Sequence, residues 1–172
     1  MARAFVAVGS NIEPEENVRK GLTRLAARMD VRGISILYRT APLERPEQDA
    51  FVNGVIEVET ALSPRDLRAV LRSIETECGR VRGNDRYAAR TLDLDVVVYD
   101  DLEVSEEGLV LPDPDIPARP FLALPLAELA PDMALAGDGR TMSELASLHT
   151  DNDMEPLAAY TKSLRETLCH GS

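Results

Sequence analysis

The stretch Phe51-Val-Asn-Gly-Val-Ile-Glu-Val-Glu-Thr-Ala-Leu-Ser-Pro-Arg-Asp-Leu67 contains a strand and the start of a helix. Successive strand residues point to opposite faces of a sheet. One face therefore carries Val52, Ile56 and Val58, and the other carries Asn53, Val55 and Glu57. Ser63 to Asp66 has the spacing of a capping box, and a proline suits the first helical turn. The stretch predicts a sheet strand followed at once by a helix.

The flanking sequence completes the order of elements. Residues 5–8 predict a short buried strand, a helix begins at Pro14, and residues 31–39 predict a second strand. The helix that starts after the quoted strand ends near Gly79, and residues 92–99 predict a fourth strand. The order β-α-β-β-α-β predicts an α+β, ferredoxin-like sandwich. In that fold an antiparallel sheet carries both helices on one face and leaves the other face open to a ligand.

The rest of the chain is expected to be less regular. A short helix is predicted at residues 121–129 and a C-terminal helix at about 155–168. A length of 172 residues suits one domain with a sizeable core. We therefore treat residues 1–172 as a single domain, with 132–172 as a C-terminal extension.

Composition limits the classes of partner. The net charge of -11 argues against binding nucleic acid or an anionic membrane, because both would be repelled. Cys78 and Cys169 lack the paired spacing of a zinc site or a disulfide scaffold. The first apolar run is too short for a signal peptide, and no stretch approaches the roughly 20 apolar residues that span a bilayer. These features predict a cytoplasmic protein.

Two acidic residues start the fourth strand. Asp93 and Asp95 are two positions apart, so both carboxylates leave the same face of the sheet. Paired carboxylates suit Mg²⁺, which also takes phosphate oxygens as ligands. With two ions, they could bridge a triphosphate and an attacking hydroxyl. The alternative is an acidic strand edge exposed to water.

A basic segment, residues 80–90, precedes Asp93 and Asp95. It contains one acid and four arginines, namely Arg80, Arg82, Arg86 and Arg90. The planar fork of arginine donates two hydrogen bonds to phosphate at once. Cations beside two acids predict a metal-triphosphate site, although a basic loop paired with its acidic neighbours remains an alternative. No G-x-x-x-x-G-K-[ST] motif is present, so ATP binding would not use a P-loop.

Several motifs together resemble the 6-hydroxymethyl-7,8-dihydropterin pyrophosphokinase family. They are Val8-Gly-Ser-Asn-Ile, Tyr38-Arg-Thr-Ala-Pro-Leu, Phe51-Val-Asn, Gly79-Arg-Val-Arg, Arg86-Tyr-Ala-Ala-Arg-Thr-Leu-Asp-Leu-Asp and Ala118-Arg-Pro-Phe. The most specific is Arg90-Thr-Leu-Asp-Leu-Asp. The resemblance implies transfer of pyrophosphate from ATP to a pterin alcohol in folate synthesis, with two Mg²⁺ ions and a monomeric or homodimeric protein.

The resemblance also implies the role of each site residue. Asp93 and Asp95 would hold the metal ions, and Arg80 and Arg90 would act in catalysis at the phosphates. ATP would also contact Glu75, Arg82, Tyr87, Asp113 and Arg119. Glu75 is expected to point off the buried stripe of its helix and bind the ribose. The pterin would contact Thr40, Ala41, Leu43, Phe51, Asn53 and Phe121.

One departure from the family pattern concerns ATP. The family usually has histidine where this chain has Asp113, and an acid there would repel phosphate, so we expect weaker ATP affinity than in typical members. Three alternatives remain open: a ferredoxin-like module that senses a small ligand without catalysis, a pyrophosphokinase for a different alcohol, and a degenerate paralogue.

Overall fold

The computed structural model describes residues 1–40, 50–79 and 91–169. Within these ranges the chain forms eight strands and five α-helices. In chain order they are β1 (Ala2–Ser10), α1 (Pro14–Arg28), β2 (Asp30–Ile34), β3 (Tyr38–Thr40), β4 (Phe51–Thr60), α2 (Pro64–Glu77), β5 (Asp93–Tyr99), β6 (Val104–Glu106), β7 (Leu109–Leu111), α3 (Pro120–Leu129), α4 (Met142–Ala146), β8 (Glu155–Pro156) and α5 (Ala158–Leu168).

The main sheet is antiparallel, as the sequence predicts. β1 lies between β5 and β4, and β4 also pairs with both β2 and β3. β8 extends the sheet beyond β3. The strand predicted at residues 5–8 is longer than expected at both ends, because residues 2–4 pair with residues 58–60 of β4, and Gly9 and Ser10 pair with Asn53 and Val52. The chain therefore has a mixed α/β fold built on an antiparallel sheet.

One face of the sheet packs against α1, α2 and α5. This core includes Val6 and Ile56 from the sheet and Leu22 and Leu71 from α1 and α2. Both α1 and α2 begin with a proline, as predicted. The Ser63 hydroxyl accepts a hydrogen bond from the Asp66 backbone N–H at 3.2 Å, which confirms the predicted cap.

The two helices of the predicted order, α1 and α2, lie on one face as expected, but the expectation that the other face is left open is wrong. α3 and α4 cover part of the opposite face, where Phe5, Val55 and Val97 form a second buried cluster with Leu122 and Leu126 of α3. The physical reason is the apolar character of the sheet on that side: burying these side chains removes hydrophobic surface from water. The part of this face near Asp93 is left uncovered by α3 and forms the cleft described below.

The strand predicted at residues 31–39 is interrupted. Three of its backbone groups bond to side chains from distant helices instead of continuing the ladder. The Ile36 N–H donates to Glu128 of α3 at 2.8 Å, and the Leu37 N–H donates to the Thr161 hydroxyl of α5 at 2.9 Å. The Arg165 side chain of α5 donates to the Ile34 carbonyl at 2.8 Å. Because these side chains provide hydrogen-bond partners for the three backbone groups, the chain can leave the ladder between β2 and β3 without leaving those groups unpaired.

The chain after Asp100 is more regular than expected. β6 and β7 form a hairpin whose turn includes Gly108, with a positive φ of 76° that suits glycine. The predicted helices at 121–129 and 155–168 correspond to α3 and α5, and α5 packs Leu164 and Leu168 into the main core. Among the described residues, no helix is both long enough and apolar enough to cross a bilayer.

Thr161→Val should destabilise the protein by about 1–3 kcal/mol, because it leaves the buried Leu37 N–H without its acceptor. Urea unfolding measures the loss. The matched control is Thr167→Val, whose hydroxyl is exposed and donates to the Ser163 carbonyl of its own helix at 3.0 Å. Equal stability of the two variants would contradict the role given to Thr161.

Candidate active site

The start of β5 separates acidic from apolar side chains. Leu94 and Val96 belong to the main core, whereas Asp93 and Asp95 line a cleft on the opposite face. The two acids lie opposite Gly9 and Ala7 of β1. The alternation predicted from the sequence is therefore confirmed, and it brings both carboxylates to one opening.

The cleft has a volume of about 310 Å³, within the range of small-molecule sites. It brings together many residues predicted for the site: Phe51, Asn53, Asp93, Asp95, Asp113, Arg119 and Phe121. Thr40 adjoins it through a hydrogen bond to Asn53. The predictions for Ala41, Leu43, Arg80, Arg82, Tyr87 and Arg90 lie outside the described residues.

Asp95 has unusual electrostatics for an aspartate. Its side chain reaches water through the cleft mouth, yet protein atoms surround much of the carboxyl group. Loss of solvation, followed by the charges of Asp93 and Glu75, raises the pKa of Asp95 to about 7; Arg72 opposes this shift. Like charges gathered at this spacing favour a bound cation, because a cation would relieve their repulsion.

The acidic pair fits a metal that draws its other ligands from substrate and water. No group of three or more His, Cys, Asp or Glu side chains is arranged to hold a metal within the described ranges. Mg²⁺ is commonly bound by one or two carboxylates plus phosphate oxygens and waters. Asp93 and Asp95 match that donor set.

Glu75 does not point off the buried stripe of α2, contrary to expectation. It is 1% exposed, and its carboxylate accepts a hydrogen bond from the Leu94 backbone N–H at 2.8 Å. Leu94 lies between the two aspartates, so Glu75 holds the edge of β5 where both acids emerge. A buried carboxylate requires such a partner, because burial without one is costly.

The Asn53 side chain is held between two neighbours. Its amide nitrogen donates to the Thr40 hydroxyl at 2.6 Å. Its amide oxygen lies over Gly9, where a β-carbon would come within 2.6 Å of it. Gly9, which sequence reasoning treated as part of a turn, therefore provides the space that Asn53 occupies.

Asp113 lies where the segment after β7 meets β5. Its backbone N–H donates to the Val97 carbonyl at 2.8 Å, and its carboxylate accepts from the Asp115 N–H at 2.8 Å. Burial raises the pKa of the Asp113 carboxyl. The guanidinium of Arg119 lies 3.5 Å from the Asp115 carboxylate and stacks 5.6 Å from the centre of the Phe121 ring.

A second opening of about 300 Å³ adjoins Asp95 and was missed by the sequence reasoning. It lies between α2 and the β6–β7 hairpin, and two arginines of α2, Arg68 and Arg72, line it. Their spacing of four residues places them on one side of the helix. That spacing could have indicated that the two arginines share one wall of a site. It did not identify the opening, because arginines beside an apolar stripe ordinarily face water.

The fold and the cleft together define a class. An acidic pair suited to a divalent cation, beside aromatic walls and arginines, is typical of enzymes that transfer phosphoryl groups. Residues 5–131 match the family described as "7,8-dihydro-6-hydroxymethylpterin-pyrophosphokinase (HPPK)". The chain belongs to this family.

Relatives of known name agree with this assignment. A 2-amino-4-hydroxy-6-hydroxymethyldihydropteridine pyrophosphokinase of Pseudomonas aeruginosa is 41% identical over 146 residues, covering 83% of this chain and 89% of the relative. The protein of the same name from Methylorubrum extorquens is 40% identical over 141 residues, covering 80% and 89%.

A solved structure of wild-type Plasmodium falciparum HPPK-DHPS has the same fold. It superposes with a TM-score of 0.64 at 12% identity, over 86% of this chain. This chain spans 44% of the Plasmodium chain, so the comparison concerns the fold of one part of that longer protein.

The stability of the metal-free protein should depend on the ionisation of Asp95. The folded state raises its pKa from 3.8 to about 7, so the folded protein binds the proton more tightly than the unfolded chain. The stabilisation is complete below pH 3.8 and is lost as the pH rises through about 7. Wild type should therefore lose stability relative to Asp95→Asn as the pH is raised.

Urea unfolding of both proteins in EDTA, across this pH interval, measures the difference. Asp101→Asn, an exposed change in the turn after β5, is the control and should follow wild type. A constant difference between wild type and Asp95→Asn at all pH values would contradict the raised pKa.

Proposed function

We propose that the protein transfers pyrophosphate from ATP to the hydroxymethyl group of 6-hydroxymethyl-7,8-dihydropterin, giving AMP and the pterin diphosphate, in folate biosynthesis. The observation that carries this proposal is the meeting of Asp93 and Asp95 with the aromatic cleft in a member of the pyrophosphokinase family. A relative named "Folic acid synthesis protein fol1" supports the pathway.

The reaction makes one bond and breaks one. The pterin hydroxyl oxygen bonds to the β-phosphorus of ATP, and its proton passes to water. The bond from that phosphorus to the oxygen it shares with the α-phosphate breaks, and AMP keeps the oxygen with its electron pair. No covalent intermediate with the protein is needed, so the residues act by positioning and by charge.

Asp93 and Asp95 would hold two Mg²⁺ ions, which would neutralise the phosphates. The raised pKa of Asp95 supports a cation site, because a cation offsets the repulsion that raises it. Metal-bound carboxylates must be ionised, so metal binding would release the proton of Asp95 and strengthen as the pH rises through about 7.

The pterin would occupy the part of the cleft nearest β4. Phe51 and Phe121 are half-buried and line it, and a flat heterocycle gains from contact with aromatic rings. Asn53, fixed by Thr40 and Gly9, would hydrogen-bond the polar edge of the ring. Ala41 and Leu43 complete the predicted pterin contacts.

Arginine side chains are proposed to contact the phosphates of ATP. Arg119 lines the cleft, although its guanidinium is close to Asp115 and would exchange that partner for phosphate. Arg80 and Arg90 are proposed to stabilise the transferring group, and Arg82 and Tyr87 to contact the nucleotide.

The finer description of the protein belongs to the same proposal. The strand order of the sheet supports a ferredoxin-like topology, with residues 132–172 as a C-terminal extension of a single 1–172 domain. We propose a cytoplasmic location, since the reaction consumes ATP. A monomer or a homodimer is proposed from the family resemblance.

Release of AMP tests the proposed function. Wild type should form AMP from ATP only when Mg²⁺ and 6-hydroxymethyl-7,8-dihydropterin are both present. Asp95→Ala should lower kcat on the order of 1,000-fold, because several kcal/mol of charge stabilisation at the metal is lost. Asp101→Asn is the control and should remain active. Absence of AMP with wild type, or a fully active Asp95→Ala, would overturn the proposal.

Gly9→Ala should raise KM for the pterin about 10-fold while changing KM for ATP little, because the added β-carbon displaces the Asn53 amide and one hydrogen bond is lost. Steady-state kinetics with each substrate varied gives both constants. In an Asn53→Ala background the same change should have little further effect, since the clash is gone. Additive losses would show that Gly9 acts on something other than Asn53.

A further inference from the structure

We propose that Thr161 of α5 is a positioning residue for the pterin side of the cleft, on which it acts through Leu37 and β3. The inference rests on the proposed function and deepens it, because it extends the pterin site to a helix on the opposite face of the sheet. The helix concerned, Ala158–Leu168, lies beyond residues 5–131, the part of the chain that matches the family.

The Thr161 hydroxyl is part of a buried hydrogen-bond network between α5 and Leu37. Thr161 is 1% exposed, and its hydroxyl accepts from the Leu37 N–H at 2.9 Å and donates to the Leu157 carbonyl at 2.8 Å. The Leu157 N–H donates to the Leu37 carbonyl at 2.8 Å. Both backbone groups of Leu37 are thus bound by the C-terminal segment. Without the hydroxyl, the buried Leu37 N–H would lose its acceptor, so the backbone there would shift to find another.

The Leu37 side chain packs against the back of the strand that lines the cleft. It is fully buried, and its Cδ1 lies 2.5 Å from the position that a β-carbon would take on Gly54. Gly54 follows Asn53 in β4, and both residues line the cleft. Because Gly54 has no side chain, Leu37 reaches the β4 backbone directly. In a close-packed interior, a shift of Leu37 is therefore passed to the backbone beside Asn53.

The strand that follows Leu37 lies beside the pterin residues. β3 has three residues, and it pairs Tyr38 with Asn53 and Thr40 with Phe51. The Thr40 hydroxyl also accepts the hydrogen bond from the Asn53 amide at 2.6 Å. So short a strand has few ladder bonds of its own, and the anchor immediately before it therefore helps to determine where Thr40 and Asn53 meet.

The outer edge of β3 is held by the same C-terminal segment, but through weaker contacts. Tyr38 and Arg39 pair with Pro156 and Glu155 of β8, and the Arg39 guanidinium lies 3.4 Å from the Glu155 carboxylate. This ion pair is exposed, and exposed ion pairs contribute little. The buried hydroxyl of Thr161 is therefore the contact of this segment that we expect to matter most for β3.

The metal side of the cleft should be independent of Thr161. Asp93 and Asp95 belong to β5, which is separated from β4 by β1 and lies at the end of the sheet opposite β3 and β8. A change in α5 should therefore alter the binding of the pterin and leave the binding of Mg²⁺ and ATP unaltered.

Steady-state kinetics with each substrate varied tests the inference. Thr161→Val removes the hydroxyl at nearly constant volume and should raise KM for the pterin about fivefold, with KM for ATP unchanged. Thr161→Ser keeps the hydroxyl and should give the KM of wild type. Thr167→Val is the matched control, since its exposed hydroxyl donates within α5. A purely structural role would instead lower the amount of folded enzyme and hence the apparent kcat, with both KM values unchanged.

A measurement without substrates separates this inference from the proposed function. The NMR signals of the ¹⁵N-labelled Asn53 side-chain amide, identified by their loss in Asn53→Asp, report its hydrogen bond to Thr40. They should shift in Thr161→Val and match wild type in Thr161→Ser and Thr167→Val.

The inference would be overturned by an unchanged amide signal or an unchanged KM for the pterin in Thr161→Val, by an equal rise of both KM values, or by the same effects in Thr161→Ser. Absence of AMP formation in wild type would instead overturn the proposed function. The amide signals would then still decide whether Thr161 positions Asn53.

Discussion

The two-residue alternation of β5 is the constraint on which the site depends. It places Leu94 in the core and sends Asp93 and Asp95 together into the cleft. A slip of one residue would bury both acids and expose the leucine. The outer edge of the strand is held at two points, by Glu75 on the Leu94 N–H and by the Asp113 N–H on the Val97 carbonyl. The register of β5 therefore determines where both acids lie.

The carboxylates that line the cleft repel one another, and bound cations would relieve that repulsion. Within the part of the chain that the structure describes, four aspartates line it, namely Asp93, Asp95, Asp113 and Asp115, and the chain has a net charge of -11. Burial raises the pKa of Asp95 and of Asp113, which shows that their ionised forms are poorly solvated. Divalent cations would compensate for the poor solvation of these carboxylates. Arginines outside the acidic cluster would then bind the triphosphate. Positive charge placed locally, on cations and arginines, would let an acidic protein bind an anionic substrate.

Local chemistry predicted the regular elements well. The alternation in β4 and β5, the proline starts of α1 and α2 and the Ser63 cap all act within a few residues. The break between β2 and β3 was not predictable in this way, because its partners Glu128, Thr161 and Arg165 lie far along the chain. The cover of α3 over the second sheet face depends on tertiary packing and was missed for the same reason.

The candidate site was predicted in part. The acidic pair and the aromatic and amide residues came together as the motifs indicated, whereas Glu75 turned inward because its carboxylate satisfies a backbone N–H at the sheet edge. Arg68 and Arg72 escaped notice because helical periodicity identifies the buried stripe and says nothing of what lies beside it. The roles of Arg80, Arg82, Arg90 and Tyr87 stay predictions.

The attachment of α5 to the gap between β2 and β3 has a consequence for synthesis. Leu157 donates its N–H to the Leu37 carbonyl, and Thr161 and Arg165 complete the neighbouring backbone bonds. A nascent chain still lacking α5 leaves these groups unpaired, next to the strand that carries Thr40. That side of the sheet therefore completes its hydrogen bonding only after α5 has emerged from the ribosome, so the Thr40 side of the cleft forms later in synthesis than the β5 side.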